Sequence, residues 1–319
     1  MRQLYIYHDN VIYEPAVAEK VKWQTERKNS PGRLEFKAAA DERMLSVSEG
    51  DVVTFSEDGE HLFYGYIFKF SRDRDNMISV TAYDQLRYFK NKDTYVYENK
   101  RADEVLRMLC DDFKLRQGTI ESTGYKIPSR IESNSTLFDI IGNALDLTLQ
   151  NKKILYVLYD DYGKITLKRL SSMQTGVIID SETAENFSYS SGIDKDTYNR
   201  IKLSYDNSDS GQREIYAASD SANISKWGVL QYYGTVDKNE NGREKAKALL
   251  SLYNAKTKTL SVKNALGVNK VRAGSIVYVQ LDLGDMKING GMVVEKCSHE
   301  YGADSHFMTL ELRGGEINA

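Results

Sequence analysis

The chain is poor in the residues that build stapled or metal-bound scaffolds. Its 319 residues include 2 cysteines, 3 prolines and 4 histidines. Cys110 and Cys297 are too far apart to frame a small disulfide domain, so two buried thiols in a reducing compartment are expected. Cys297, His299 and His306 do not have the spacing of a closed zinc site. His299-Glu300 begins like a zinc-protease helix, but Ala303 stands where the second histidine is needed. The longest apolar run, the six residues Ile154 to Tyr159, is far short of a membrane span. The opening residues MRQLYIYHDN lack the apolar core of a secretory leader, so no general secretion and no membrane insertion are expected. Charge of one sign is also missing. With 43 basic and 46 acidic residues the net charge is −3, which gives no overall field to attract nucleic acid.

Familiar catalytic signatures are absent too. The sequence has no GxSxG elbow, no Walker A loop and no GxGxxG fingerprint. Asp237 to Gly242 matches the first half of a calcium loop, but Ala248 occupies the twelfth position, where a bidentate Glu is required. A polar turn capping the next helix is the expectation there. The acidic pairs Asp111-Asp112 and Asp160-Asp161 are adjacent residues of a helix and a turn, as solvated carboxylates commonly are. No catalytic residue, metal ligand or cofactor site is assigned, and the chain is expected not to be an enzyme.

What the chain has is a β pattern rich in tyrosine, at 22 residues, and enough apolar content, 41%, to bury more than one core. Short alternating segments with turns at Ser30-Pro31-Gly32, Glu57-Asp58-Gly59 and Asp73 to Asn76 fill the first 95 residues. Beyond them, Val105, Leu106, Leu109 and Phe113 share a helical face, with Gly118 as a stop. A second helix is expected over Ser135 to Leu149, with Ser135 as its cap. A hairpin follows, turning at Asp160 to Gly163. The remainder is β with one clear helix over Gly242 to Lys256 and a turn at Asn207 to Gly211. The expected fold is mixed α/β, mainly β. It has two related tube-like β-barrel modules, at 1–95 and 176–319, the second carrying a helix, and a central α/β insertion at 96–175.

The relation between the modules comes from a quasi-repeat. Val47 to Phe55 and Val271 to Val279 both run apolar, polar, small or acidic, Gly, polar, then an apolar strand. Gly50 precedes Gly65 by 15 residues and Gly274 precedes Gly290 by 16, and each second glycine opens another strand. These four glycines are the expected repeat positions. Any β-barrel repeats glycine, turn and strand, so the pattern alone leaves a generic origin open. Tyr88, Tyr95, Tyr97, Tyr232 and Tyr233 cluster near element ends and are the candidate interface residues, because tyrosine offers a large contact area with a polar tip. Filling and edging sheets is their other ordinary use. Arg87 to Lys92, RYFKNK, is one short stretch of the basic and aromatic interleaving that stacks on single-stranded nucleic acid, though it more simply ends a barrel.

The stretches NSPGRLEF (29–36), VSEGDVVTF (47–55), LFYGYIF (62–68), ISVTAYDQLRYFKNK (78–92), ADEVLRMLCDDFKL (102–115) and ALGVNKVRAGSIVYV (265–279) resemble, in their order and spacing, the XkdQ/YqbQ-type baseplate hub proteins. That family belongs to contractile phage tails, PBSX-like prophages and contractile bacteriocins. The resemblance implies a structural hub that is a homotrimer in the assembled baseplate. Two modules per chain would form a pseudo-sixfold ring between a hexameric tail tube and a trimeric spike. Implied partners are the tail tube protein, the spike protein and other baseplate proteins, with transient lumen contact with DNA or a tape-measure protein. The implied location is the tail baseplate of a virion or bacteriocin particle, assembled in the bacterial cytoplasm. The alternative expectation is a tail protein that binds or degrades cell-wall glycan.

Overall fold

The fold is taken from a computed structural model. It describes residues 1–39, 47–207, 211–236, 241–282 and 287–314. The turn expected over Asn207 to Gly211 therefore lies, at 208–210, outside the described residues, as do positions 237–240 of the calcium-loop-like segment. Asn241 does cap the following helix, accepting a hydrogen bond from the Glu244 N–H at 3.3 Å.

The first module contains β1 (Arg2–His8), β2 (Val11–Tyr13), β3 (Val17–Glu26), β4 (Arg33–Ala39), β5 (Val52–Glu57), β6 (Glu60–Arg72) and β7 (Met77–Tyr83). Alternation decides which faces are buried. Leu34, Phe36 and Ala38 of β4 and Ile78, Val80 and Ala82 of β7 point into one core, while Arg33, Glu35 and Lys37 point away from it.

A 3-10 turn at Gln85–Lys90, capped by Asp84, then carries the chain into a different core. That core gathers β8 (Lys92–Arg101), α1 (Ala102–Asp112), β9 (Gln117–Ile120), β10 (Lys126–Thr136), α2 (Leu137–Lys152), β11 (Tyr156–Asp160) and β12 (Ile165–Arg169). Leu86 and Phe89 already belong to it, so the first module's strands end at Tyr83, short of the expected boundary at 95. Two helix ends also differ from expectation. α1 stops before Gly118 because Lys114 takes a left-handed φ of 52°, and the Leu115 N–H donates back to Cys110 O at 2.8 Å. α2 is capped by Thr136, whose hydroxyl accepts from the Asp139 N–H at 3.1 Å, because Ser135 is still paired with Asp93 in the sheet.

The last part holds β13 (Gln174–Ile179), β14 (Ala184–Gly192), β15 (Arg200–Asn207), β16 (Gln212–Ser219), α3 (Ser221–Trp227), β17 (Gln231–Thr235), α4 (Gly242–Tyr253), β18 (Thr257–Leu266), β19 (Ile276–Asp282), β20 (Lys287–Tyr301) and β21 (His306–Gly314). It has two cores where one module was expected. β15, β16, β17 and α4 make a separate three-stranded sheet with a helix, packed on Ile201, Leu203, Val236, Ala246 and Leu249. This unit is inserted between β14 and β18. The fold class is mixed α/β and mainly β.

One 13-stranded sheet runs through both β modules. Its main path is β14-β18-β21-β20-β3-β4-β7-β6-β5-β1-β2, with β19 also on β20 and β13 on β19. The link is β20. Residues 287–293 pair with β19, whereas residues 296–301 lie between β21 and β3 of the first module. Tyr301 of β20 is thus buried in the first module's core.

Candidate assembly interface

The quasi-repeat is visible at the level of single hydrogen bonds. Gly50 and Gly274 have φ of 95° and 88°, a region that only glycine enters without strain. The Gly50 N–H donates to Ile67 O and the Gly274 N–H to Val294 O, both at 2.8 Å. The return bonds match as well, from Ile67 N–H to Asp51 O and from Val294 N–H to Ser275 O, both 2.9 Å. In each turn the side chain one place after the glycine accepts a backbone N–H three residues back: Asp51 from Ser48 at 2.7 Å, Ser275 from Arg272 at 3.0 Å.

The match extends to the whole modules. The spatial order β3-β4-β7-β6-β5-β1 is repeated as β14-β18-β21-β20-β19-β13, in the same chain order. β6 and β20 are both long strands that change partner midway, and both carry a bulge at the change. The bulged residues, Phe68 and Glu295, are equivalent in register. One departure lies at the far edge, where β1 is antiparallel to β5 but β13 is parallel to β19. The second pair of repeat glycines is out of step. Gly65 pairs with Val53, and the residue in that place in the other module is Met292, opposite Val277; Gly290 lies two residues away, opposite Val279.

The β3·β20 seam shows how two modules of this kind join. Arg27 makes a two-pronged ion pair with Glu295, at 2.8 and 2.9 Å, and Lys296 reaches Glu26 at 3.1 Å. Below the charges, Trp23, His299, Tyr301 and His306 stack in a row. His299 is buried, and its Nε2 lies 2.7 Å from Val271 O while its Nδ1 lies 2.9 Å from His306 Nε2. Burial pushes the His299 ring down to about 3, so it is neutral at ordinary pH. Its Nε2 therefore donates to Val271 O, and Nδ1 accepts from His306. Cys297 lies 3.1 Å from the same Nε2, with its thiol held protonated by burial. A ring nitrogen already committed to a carbonyl is not a metal ligand, and among the described residues no group of metal-ligating side chains is found.

A second junction ties the first module, the central unit and the last module together. Buried Asp84 accepts from the Gly32 N–H at 2.8 Å and the Leu86 N–H at 3.0 Å. Asp160 accepts from the Gly163 N–H and, at 3.3 Å, from the Gln85 N–H. Burial, and for Asp84 the neighbouring Asp160, raise both carboxyls above the usual range, and Arg272 opposes this. The Arg272 guanidinium lies over the Tyr159 ring at 4.2 Å and over Trp23 at 5.8 Å.

The candidate tyrosines separate. Tyr95 and Tyr97 are in the central core, 8% and 2% exposed, because alternation along β8 turns both inward. Tyr95 donates to Asp112 at 2.7 Å, while the Tyr97 hydroxyl is buried with no hydrogen-bond partner of good geometry among the described residues. Tyr88 packs between that core and the rings of Tyr66 and Phe68. Tyr232 packs against Tyr198 and Tyr253 in the inserted unit. Tyr233 alone of the five is largely exposed, and its hydroxyl lies 2.8 Å from Ser204 Oγ. The RYFKNK stretch offers no stacking platform, since Phe89 is fully buried and Arg87 lies over Phe68 at 5.1 Å.

The YQBQ-like family model matches residues 21–313. The chain belongs to that family. It is 32% identical to the uncharacterized protein YqbQ of Bacillus subtilis (strain 168), over 93% of this chain and 92% of the relative. It is 31% identical to the phage-like element PBSX protein XkdQ of the same strain, over 98% and 97%. The 43 kDa tail protein of prophage MuSo2 from Shewanella oneidensis shares the fold, with TM-score 0.69 at 12% identity over 97% of this chain and 98% of that one. So does the E. coli type VI secretion component c3393, with TM-score 0.56 at 11% identity over 99% and 78%. That component is described as structurally similar to the phage T4 tail proteins gp27 and gp5. Among the described residues no helix is long and apolar enough to cross a membrane.

Proposed function

We propose that the chain is a structural protein of a phage tail or related injection system and serves as its baseplate hub. The observation that carries this reading is the duplication: two β modules with one strand order, joined edge to edge within a chain. Three copies supply six such modules, so a threefold assembly would present a near-sixfold ring. One face of that ring would continue a hexameric tail tube, and the other would hold a trimeric spike. The central α/β unit and the inserted β15–α4 unit would brace its outside. The lumen would pass DNA or a tape-measure protein, and assembly would take place in the bacterial cytoplasm. Membership of the XkdQ-containing family and the tail-protein fold support this reading.

The role is non-catalytic. Of the acidic pairs, Asp160 is committed to backbone N–H groups inside the three-way junction and Asp112 to the Tyr95 hydroxyl. Electron microscopy of the protein mixed with its neighbouring tail proteins tests the proposal. A threefold ring with six similar lobes between tube and spike is expected, and failure to join tail particles overturns it. Peptidoglycan release by the purified protein, abolished by one acidic substitution, would favour a glycan-degrading role instead.

A further inference from the structure

We infer that copies of this chain join by pairing the outer edge of β14 in one copy with residues 68–72 of β6 in the next, in the register that β3 and β20 use within the chain. This deepens the hub reading and rests on it only for the number of copies.

The duplication supplies the template. Strand pairings carried round each module make β14 the counterpart of β3 and β6 the counterpart of β20. Tyr189 stands for Trp23, Phe187 for Val21 and Ser191 for Thr25, while Lys69, Phe70 and Ser71 stand for Lys296, Cys297 and Ser298. Within the chain β3 and β20 cover each other. Their counterparts are uncovered, since among the described residues β14 pairs only with β18, and β6 beyond Ile67 pairs only with β7.

Burial shows the same asymmetry. Val21, Trp23 and Thr25 are 4–6% exposed, whereas Phe187 is 37% exposed and Ser191 lies open. Cys297 and His299 are buried, whereas Phe70 is half-buried and Arg72 is exposed. An exposed strand edge carrying aromatic residues is a template for pairing unless something blocks it. Natural edges are often blocked by proline, yet neither β14 nor β6 contains one.

Two details fit a second copy as the occupant. Thr25 Oγ1 accepts from the Ala273 N–H at 2.9 Å across the existing seam, and Ser191 would offer a hydroxyl to the equivalent Glu49 N–H. The Arg27–Glu295 ion pair at the end of the seam has Ile193 and Phe68 as its counterparts, an apolar pair. Crossing the two kinds of joint would set Arg27 against Phe68 or Ile193 against Glu295. The mismatch enforces alternation of first and last modules around a ring. Each copy then has one donor edge and one acceptor edge, a head-to-tail arrangement that forms a ring when the rotation from copy to copy closes.

The register places Ser71 opposite Ser190. Directly opposed antiparallel residues lie about 4.5–5.5 Å apart at Cα, within disulfide range. Ser71→Cys chains mixed with Ser190→Cys chains, alone at high concentration and with the neighbouring tail proteins, should form a covalent dimer on mild oxidation. The double variant should yield a ladder ending at three linked chains. Ser71→Cys with Ser188→Cys, two residues out of register, should link at least about tenfold less because its Cα separation is too great. Tail particles that contain the chain yet lack the Ser71–Ser190 link, equal linking at Ser188, or no association in either setting overturns the inference. Linked rings that never enter tail particles would sink the hub reading and leave this one standing.

Discussion

His299 of β20 stacks on Trp23 of β3 with ring centroids 5.3 Å apart and planes 18° apart. The stack crosses the seam between the two β modules, so the protonation state of one ring bears on how they hold together. The folded-state ring sits at about 3, and an unfolded histidine sits at about 6.5. As pH falls below about 6.5 the unfolded chain takes up a proton that the folded chain refuses, so stability falls with pH across that window. His299→Gln retains a neutral donor for Val271 O. Denaturant melts followed by tryptophan fluorescence should show its stability loss between pH 7 and pH 5 reduced by about 2 kcal/mol relative to the parent. Equal losses in both proteins would refute the assignment.

The Asp84–Asp160 junction makes a prediction of the opposite sign in pH. Carboxyls raised by burial favour the folded state less as pH climbs above about 4, the usual carboxylate value. Arg272 limits that loss. Arg272→Met should lower stability, and by more at neutral pH than at pH 5, where the carboxyls are more fully protonated. Adding Asp84→Asn should restore much of the loss. A double-mutant cycle with coupling below about 0.5 kcal/mol would mean the three groups act independently.

The equivalent glycines separate backbone strain from packing. Gly50 and Gly274 share a positive φ, but a Cβ on Gly50 meets nothing within 4 Å among the described residues, whereas one on Gly274 collides with Val157 of the central unit. Gly50→Ala should cost about 1–2 kcal/mol from backbone strain alone. Gly274→Ala should cost about 1–3 kcal/mol more from overpacking. Thermal melts of the two variants check the difference, and equal shifts would show that Val157 yields freely.

Local chemistry was legible in the sequence, and long-range pairing was not. The apolar stripes of α1, α2 and α4 and the alternation of β4, β7 and β15 state their own periods. The Gly50 and Gly274 turns are recognisable because a glycine before an apolar strand has few other uses. Gly65 and Gly290 match in spacing but not in register, because spacing along the chain ignores which residues face each other across a bent strand. The burial of Tyr95 and Tyr97 is not legible locally, because nothing in the sequence around β8 shows which of its faces meets α1 and α2. α3 and β17 carry too weak a period to stand out. The inserted unit they belong to is defined by a core whose members, Ile201 to Leu249, are scattered over half a module.

The seam also sets an order of events in synthesis. Gln24 and Ser298, hydrogen-bonded across it, are 274 residues apart in sequence. Trp23 is made early and stays uncovered until the strand around His299 has left the ribosome. A copy cut short before β20 would carry an open β3 edge. The joint between the two modules therefore forms only once nearly the whole chain has been made.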